Sequence, residues 1–175
     1  MLNPFFLLLP FVLQTLCMAV DELHFHRQRG LPRWERLGHP LDTLTVVACY
    51  AWLFFTPPST LSITVYAGLS VFSSLFITKD EWVHNRYCGP AECWLHTLLF
   101  ILHPLALLSA GLLWPAWHGQ SLAFIRYTGF EGKFLLGNAL LTLAFGGYQF
   151  IYWNFIWSSA TPPQQVRLTT SSTTN

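Results

Sequence analysis

Long apolar runs with almost no charge decide what this chain can fold into. In lipid, backbone polar groups must be paired within the protein, which leaves helices or closed barrels, and a helix needs roughly 17 to 25 residues to cross. Five runs approach or reach that length, at about 3 to 23, 41 to 57, 60 to 80, 91 to 114 and 134 to 157. The second and third are parted only by "TPPST", whose prolines stop one helix and force a tight turn before the next. The expected fold is an all-α integral membrane protein with one transmembrane domain over residues 1–158. A polar, disordered tail is expected over 159–175.

Composition agrees with that reading and narrows the partners. Charged residues make up 10% of the 175, against about 25% in a soluble domain. A formal net charge of +1 gives no field suited to nucleic acid. Membrane lipids and a lipophilic substrate are the expected partners, and nothing in the sequence sets an oligomeric state. The first run lacks a basic n-region and a small-residue cleavage pattern, so it reads as a retained span. The four cysteines make no disulfide framework. "SLAFIRYTGF" is too short and polar to cross, and is expected along the interface.

Orientation follows from the basic residues flanking the spans. With five spans, Arg27, Arg29, Arg33, Arg36, Lys79, Arg86 and Arg167 share one side, and only Arg126 and Lys133 face the other. The N-terminus is expected outside and the C-terminus in the cytoplasm. Seven of the eight carboxylates then lie on the cytoplasmic side with most of the histidines; Glu131 is the exception. The loop bearing Arg27, Arg29, Arg33 and Arg36 suits anionic lipid head groups.

A short internal similarity adds to this. "DELHFHRQR…GHPLD" and "DEWVHNRYCGPAE" each carry Asp-Glu, a histidine, an arginine and a Pro-x-acid that opens the next span. Two like hairpins, followed by a fifth helix, would bring the two Asp-Glu pairs together.

Helical spacing then selects ligands, since i, i+3 and i+4 share a face. Glu81 and His84 form Glu-x-x-His, the unit of helical di-iron carboxylate sites. Asp80 joins them, Glu92 and His96 pair one turn apart, and so do Glu22 and His26. These seven residues are the expected metal ligands. Asp21, His24, His39, Asp42 and His103 are assigned to a surrounding or substrate-facing layer. Tyr148, Gln149, Tyr152 and Asn154 from the last span are placed there too, closing the site or binding a head group. No residue is singled out as catalytic.

Blander chemistry accounts for some of these positions. Pro40 with Asp42, and Pro90 with Glu92, fit proline at the first helical position with an acid at the third. By the same reading His39 is a cap and Glu35 a loop acid among arginines. Asp21, Glu22, Asp80 and Glu81 resist it, because they fall at span C-termini where the helix dipole disfavours negative charge. Carboxylates and neutral imidazoles suit a divalent ion: iron by preference, with zinc or manganese as alternatives.

The function this implies is oxidation of a lipid or lipophilic substrate, by hydroxylation or desaturation, at a cytoplasmic-face metal site. A zinc hydrolase acting on a lipid is the first alternative. A small transporter or proton conductor using His103 is the second, and haem held by histidines on neighbouring spans is a third. The sequence holds no His-Glu-x-x-His string, Gly-x-Ser-x-Gly, phosphate loop or dinucleotide fingerprint.

Overall fold

A computed structural model describes residues 3–81, 84 and 87–157. The tail expected to be disordered, Arg86 and Arg167 lie outside them. Among the described residues the chain is all helical, with no strand, in five long helices. We number them α1 (Pro4–Arg29), α2 (Arg33–Phe55), α3 (Thr60–Asp80), α4 (Pro90–Trp117) and α5 (Phe130–Ile156). All but α2 are long and apolar enough to cross a membrane. The first turns of α2 are too polar, carrying Arg33, Glu35, Arg36, His39 and Asp42.

The helix ends obey local chemistry. Asn3 caps α1, its Oδ1 accepting from the Phe5 amide at 3.0 Å with Pro4 in the first turn. Gly30, at φ 72°, ends α1 in a conformation that favours glycine. Ser59 and Ser62 form a reciprocal capping box at the start of α3, directly after the two prolines. Glu131 accepts from the Thr128 amide at 3.0 Å and from its hydroxyl at 3.0 Å, closing the start of α5.

Two boundaries depart most from expectation, while α4 ends three residues later and α5 begins four residues earlier than expected. Helix α1 continues past residue 23, through a wider π segment over Asp21–His26, to Arg29. Helix α2 begins at Arg33 rather than near residue 41. Pro40 is therefore inside α2, His39 is not a cap, and Glu35 is not a loop acid but the third residue of the helix. The break falls at Gly30-Leu31-Pro32, which supplies a positive φ and then the preformed φ of proline. Asp21 and Glu22 accordingly sit two turns before the end of α1. The dipole falls off within the last turn, so it does not bear on them as expected.

Helix α1 packs on α4, and α2 packs between α3 and α5. Leu53, Leu113, Leu135 and Trp114 are fully buried where these helices meet. At Gly146 the backbone of α5 lies so close to α2 that an added Cβ would stand 2.6 Å from Thr43 Cγ2. Gly147 meets nothing, so only the first of the pair serves helix approach. "SLAFIRYTGF" folds back rather than crossing: Ile125 is in the core and the Tyr127 hydroxyl donates to the Leu112 carbonyl.

Candidate metal centre

The wide turn in α1 governs the centre. In a π turn residues five apart share a face, so His26 reaches both Asp21 and Glu22. His26 Nδ1 is 3.2 Å from Glu22 Oε2, and His26 Nε2 is 3.1 Å from Asp21 Oδ2. The segment stays helical, and His24 points away, exposed and bonded to Gln28.

Glu22 is saturated. Besides His26 it accepts from Tyr148 Oη at 3.1 Å, Gln149 Nε2 at 3.2 Å and Trp153 Nε1 at 2.8 Å. Three donors from α5 thus lock a carboxylate that in turn orients the His26 ring. This is the usual office of an outer carboxylate beside a metal-binding histidine. Asp21, assigned from sequence to the surrounding layer, stands instead between two imidazoles, its other oxygen 3.2 Å from His96 Nε2. Glu22, expected as a ligand, is thus engaged by donors of the protein, and Asp21 is the carboxylate that faces two imidazoles.

Helices α2 and α4 enter the centre in the same way. Glu35 and Glu92 are each the third residue of their helix, and His39 and His96 follow one turn on. Arg29 links the two glutamates, its Nη2 2.7 Å from Glu35 Oε2 and its Nε 2.8 Å from Glu92 Oε1. Expected at a lipid head group, Arg29 is instead buried between two carboxylates, its side chain 9% exposed. Of the other arginines of that loop, Arg27 lies over the Tyr152 ring, its carbon 5.6 Å from the centroid, and Arg33 is exposed. Arg36 donates to the Leu31 carbonyl at 2.7 Å. Asn154 serves the backbone of α2. Pro40 cannot donate to the Arg36 carbonyl, and Asn154 Nδ2 takes its place at 3.2 Å.

The imidazoles gather in two pairs. His26 stacks on His39 with centroids 4.9 Å apart, and His84 lies 4.1 Å from His96. Four groups have donor atoms within 4.8 Å of one another among the described residues: Asp21, His26, Glu92 and His96; His26, Glu35 and His39; His84, Cys88 and His96; and His39, Asp42 and Asp80. Several have no hydrogen-bond partner among the described residues: His39 Nε2, Glu35 Oε1, His96 Nδ1 and both nitrogens of His84. Burial, reinforced by neighbouring positive groups, pushes His84 down to about 3. Its ring therefore offers a lone pair at neutral pH.

Glu81 and His103 fall outside these sets, and Asp42 and Asp80 meet a lysine. Glu81 is exposed, its carboxylate 3.8 Å from His84 Nδ1. Asp80 and Asp42 share Lys79, whose ammonium lies 2.9 and 2.6 Å from them, so a cation of the protein already fills that corner. Asp80 also fixes how close α2 comes, since a Cβ on Gly38 would stand 3.0 Å from its Oδ2. His103 is bonded to side chains rather than a carbonyl, with Ser73 Oγ at 2.9 Å and Gln14 Nε2 at 3.4 Å.

Two residues absent from the expected site, Glu35 and Cys88, lie in these clusters. Glu35 reads in sequence as a loop acid, yet its spacing to His39 matches that of Glu92 to His96, and this match is a signal the sequence carries. Cys88 has only its nearness to His84 to recommend it.

A cavity of about 150 Å³ runs from Asp21, His26, His84 and His96 into the bundle as far as Leu107. That volume is near the size that admits a benzene ring in an apolar core. No family model, curated protein or solved structure matches the chain, so its function is argued from the chemistry of this centre.

Proposed function

We propose that the protein is a membrane-embedded metalloenzyme, with its centre at the cytoplasmic face of five crossing helices. The centre holds metal, iron by preference, and oxidises a lipophilic substrate with dioxygen. Hydroxylation balances as a substrate C–H, dioxygen, two electrons and two protons giving C–OH and water, the electrons coming from an external reductant. His26, His39, Glu35, His84 and His96 are the donors, with Asp21 between them and Glu22 and Arg29 positioning the set.

The observation that carries this reading is the group of buried imidazole and carboxylate atoms without hydrogen-bond partners among the described residues. Each such atom costs about 1–3 kcal/mol when left unmade, and native proteins keep few of them. A divalent ion is the partner that imidazole and carboxylate donors suit together. The cavity supports the substrate class, since Phe11, Val46, Leu99, Phe100 and Leu107 line it beyond the donors.

Elemental analysis and an absorption spectrum of protein purified in detergent test the proposal. Bound iron, lost in the double variant His26→Ala/His84→Ala with helical content retained, is the expected result. Bound zinc without iron transfers the reading to a hydrolase. Absence of any bound metal, with full stability kept in the double variant, overturns it. A second reading rests on the row Gln14, His103, Ser73 and Thr45, buried at His103 and Ser73 and joined at 3.4, 2.9 and 2.7 Å. Such a row suits proton passage, and proton flux into vesicles that His103→Leu abolishes would favour it.

A further inference from the structure

The two hairpins that build the centre can be compared residue by residue. Counted from the glutamate at the third position of α2 and of α4, the histidine lies four residues on in both. Four residues back stand Leu31 in the first hairpin and Cys88 in the second. Both are buried, at 0% and 7% exposure. The equivalent position therefore carries a hydrocarbon in one hairpin and a sulfur donor in the other.

We propose that the centre holds two ions of unlike chemistry. One lies among His26, Glu35 and His39, with oxygen and nitrogen donors only. The other lies among His84, His96 and the Cys88 thiolate. This rests on the metal-centre reading above. The geometry beneath it is the clustering of Cys88 with His84 and His96 inside 4.8 Å. A second observation is His84 itself, 4% exposed and without a hydrogen-bond partner for either ring nitrogen among the described residues, the Glu81 carboxylate standing 3.8 Å from Nδ1. His96 points the same way: Nε2 is engaged by Asp21 and Nδ1 is left for an ion.

Ion entry at the second position replaces the S–H bond by an S–metal bond and releases the proton to solvent. Thiolate with imidazole draws softer, zinc-like ions, whereas carboxylate with imidazole also accepts manganese and iron. The second position is thus the more thiophilic, and the two need not carry the same metal.

Titration of the metal-free full chain with cobalt(II) tests this. Two cobalt ions per chain are expected, one of them bringing an intense near-ultraviolet thiolate-to-cobalt band. Cys88→Ser should abolish the band and weaken one ion by more than the roughly 10–100-fold that an outer partner is worth. It should leave the other ion in place. His39→Ala should do the reverse and keep the band, and Cys93→Ser should leave both ions and the band. X-ray absorption of the wild-type zinc form needs no variant, and should show one sulfur at about 2.3 Å. Cobalt binding without a sulfur signature, or a band that survives Cys88→Ser, overturns the inference and leaves the metal centre standing. If no cobalt binds, the inference and the proposed function fall together.

Discussion

Glu22 accepts hydrogen bonds from three α5 side chains and meets His26 with the same carboxylate. Such a residue serves a metal through the ring it orients. Glu22→Ala should therefore weaken metal binding by about 10–100-fold without abolishing it, and Glu22→Gln should recover part of the loss. An ion titration compared across the three proteins measures this; complete loss of metal in Glu22→Gln would make it a direct ligand. Arg29 makes a different claim. Removing one partner of a buried ion pair costs about 3–5 kcal/mol, and Arg29 holds two glutamates. Arg29→Ala should destabilise metal-free protein strongly and metal-loaded protein less, because the ion also offsets the glutamate charge. Paired thermal melts decide this, and equal losses in both forms would separate Arg29 from the centre. The residue types of this centre were legible as a cluster of acids and histidines, but their division of labour was not. What Asp21 and Glu22 each meet depends on side chains more than 70 residues away in sequence, and no local spacing reports them.

The elements were legible where punctuation was strong. The prolines and the serine of "TPPST" and the Gly-Pro that opens α4 mark real ends. The start of α2 was not legible, because Pro40 has the sequence setting of a first-turn proline. Its true place inside the helix is tolerated because Asn154 satisfies the carbonyl it frees. The π segment of α1 leaves no mark in apolar periodicity, yet it turns His26 toward Asp21. Helix approach at this scale is testable at Gly146. A methyl there meets Thr43 Cγ2 at 2.6 Å, and overpacking of this kind costs about 1–3 kcal/mol. Gly146→Ala should lower thermal stability, and Thr43→Ser, which removes that methyl, should restore part of it. If the double variant melts no higher than Gly146→Ala alone, the contact is not what limits the approach of α5.

At the scale of the whole molecule the open matter is whether α2 crosses. Composition alone leaves it out of the apolar set, but its contacts follow α4 from end to end. At the site end Glu35 shares Arg29 with Glu92. At the other, Trp114 Nε1 donates to the Thr56 carbonyl at 2.9 Å and His118 Nε2 is 2.9 Å from the Leu53 carbonyl. The 23 residues of α2 span about 34 Å at about 1.5 Å each, enough for a hydrocarbon core of roughly 30 Å. Of the polar residues in its first turns, Glu35 is buried, Arg36, His39 and Asp42 are half-buried, and Arg33 is exposed at the very start of the helix. Five crossings put the chain termini on opposite sides of the membrane; four would put them together. Basic residues collect at the site end, with Arg27, Arg29, Arg33, Arg36 and Lys79 there and Arg126 and Lys133 beyond. On that bias we propose that the centre faces the cytoplasm. Reporter domains fused to each terminus should therefore read outside at the N-terminus and inside at the C-terminus. Both reporters on one side would remove α2 from the membrane, and the exchange of the two would place the centre on the outer face.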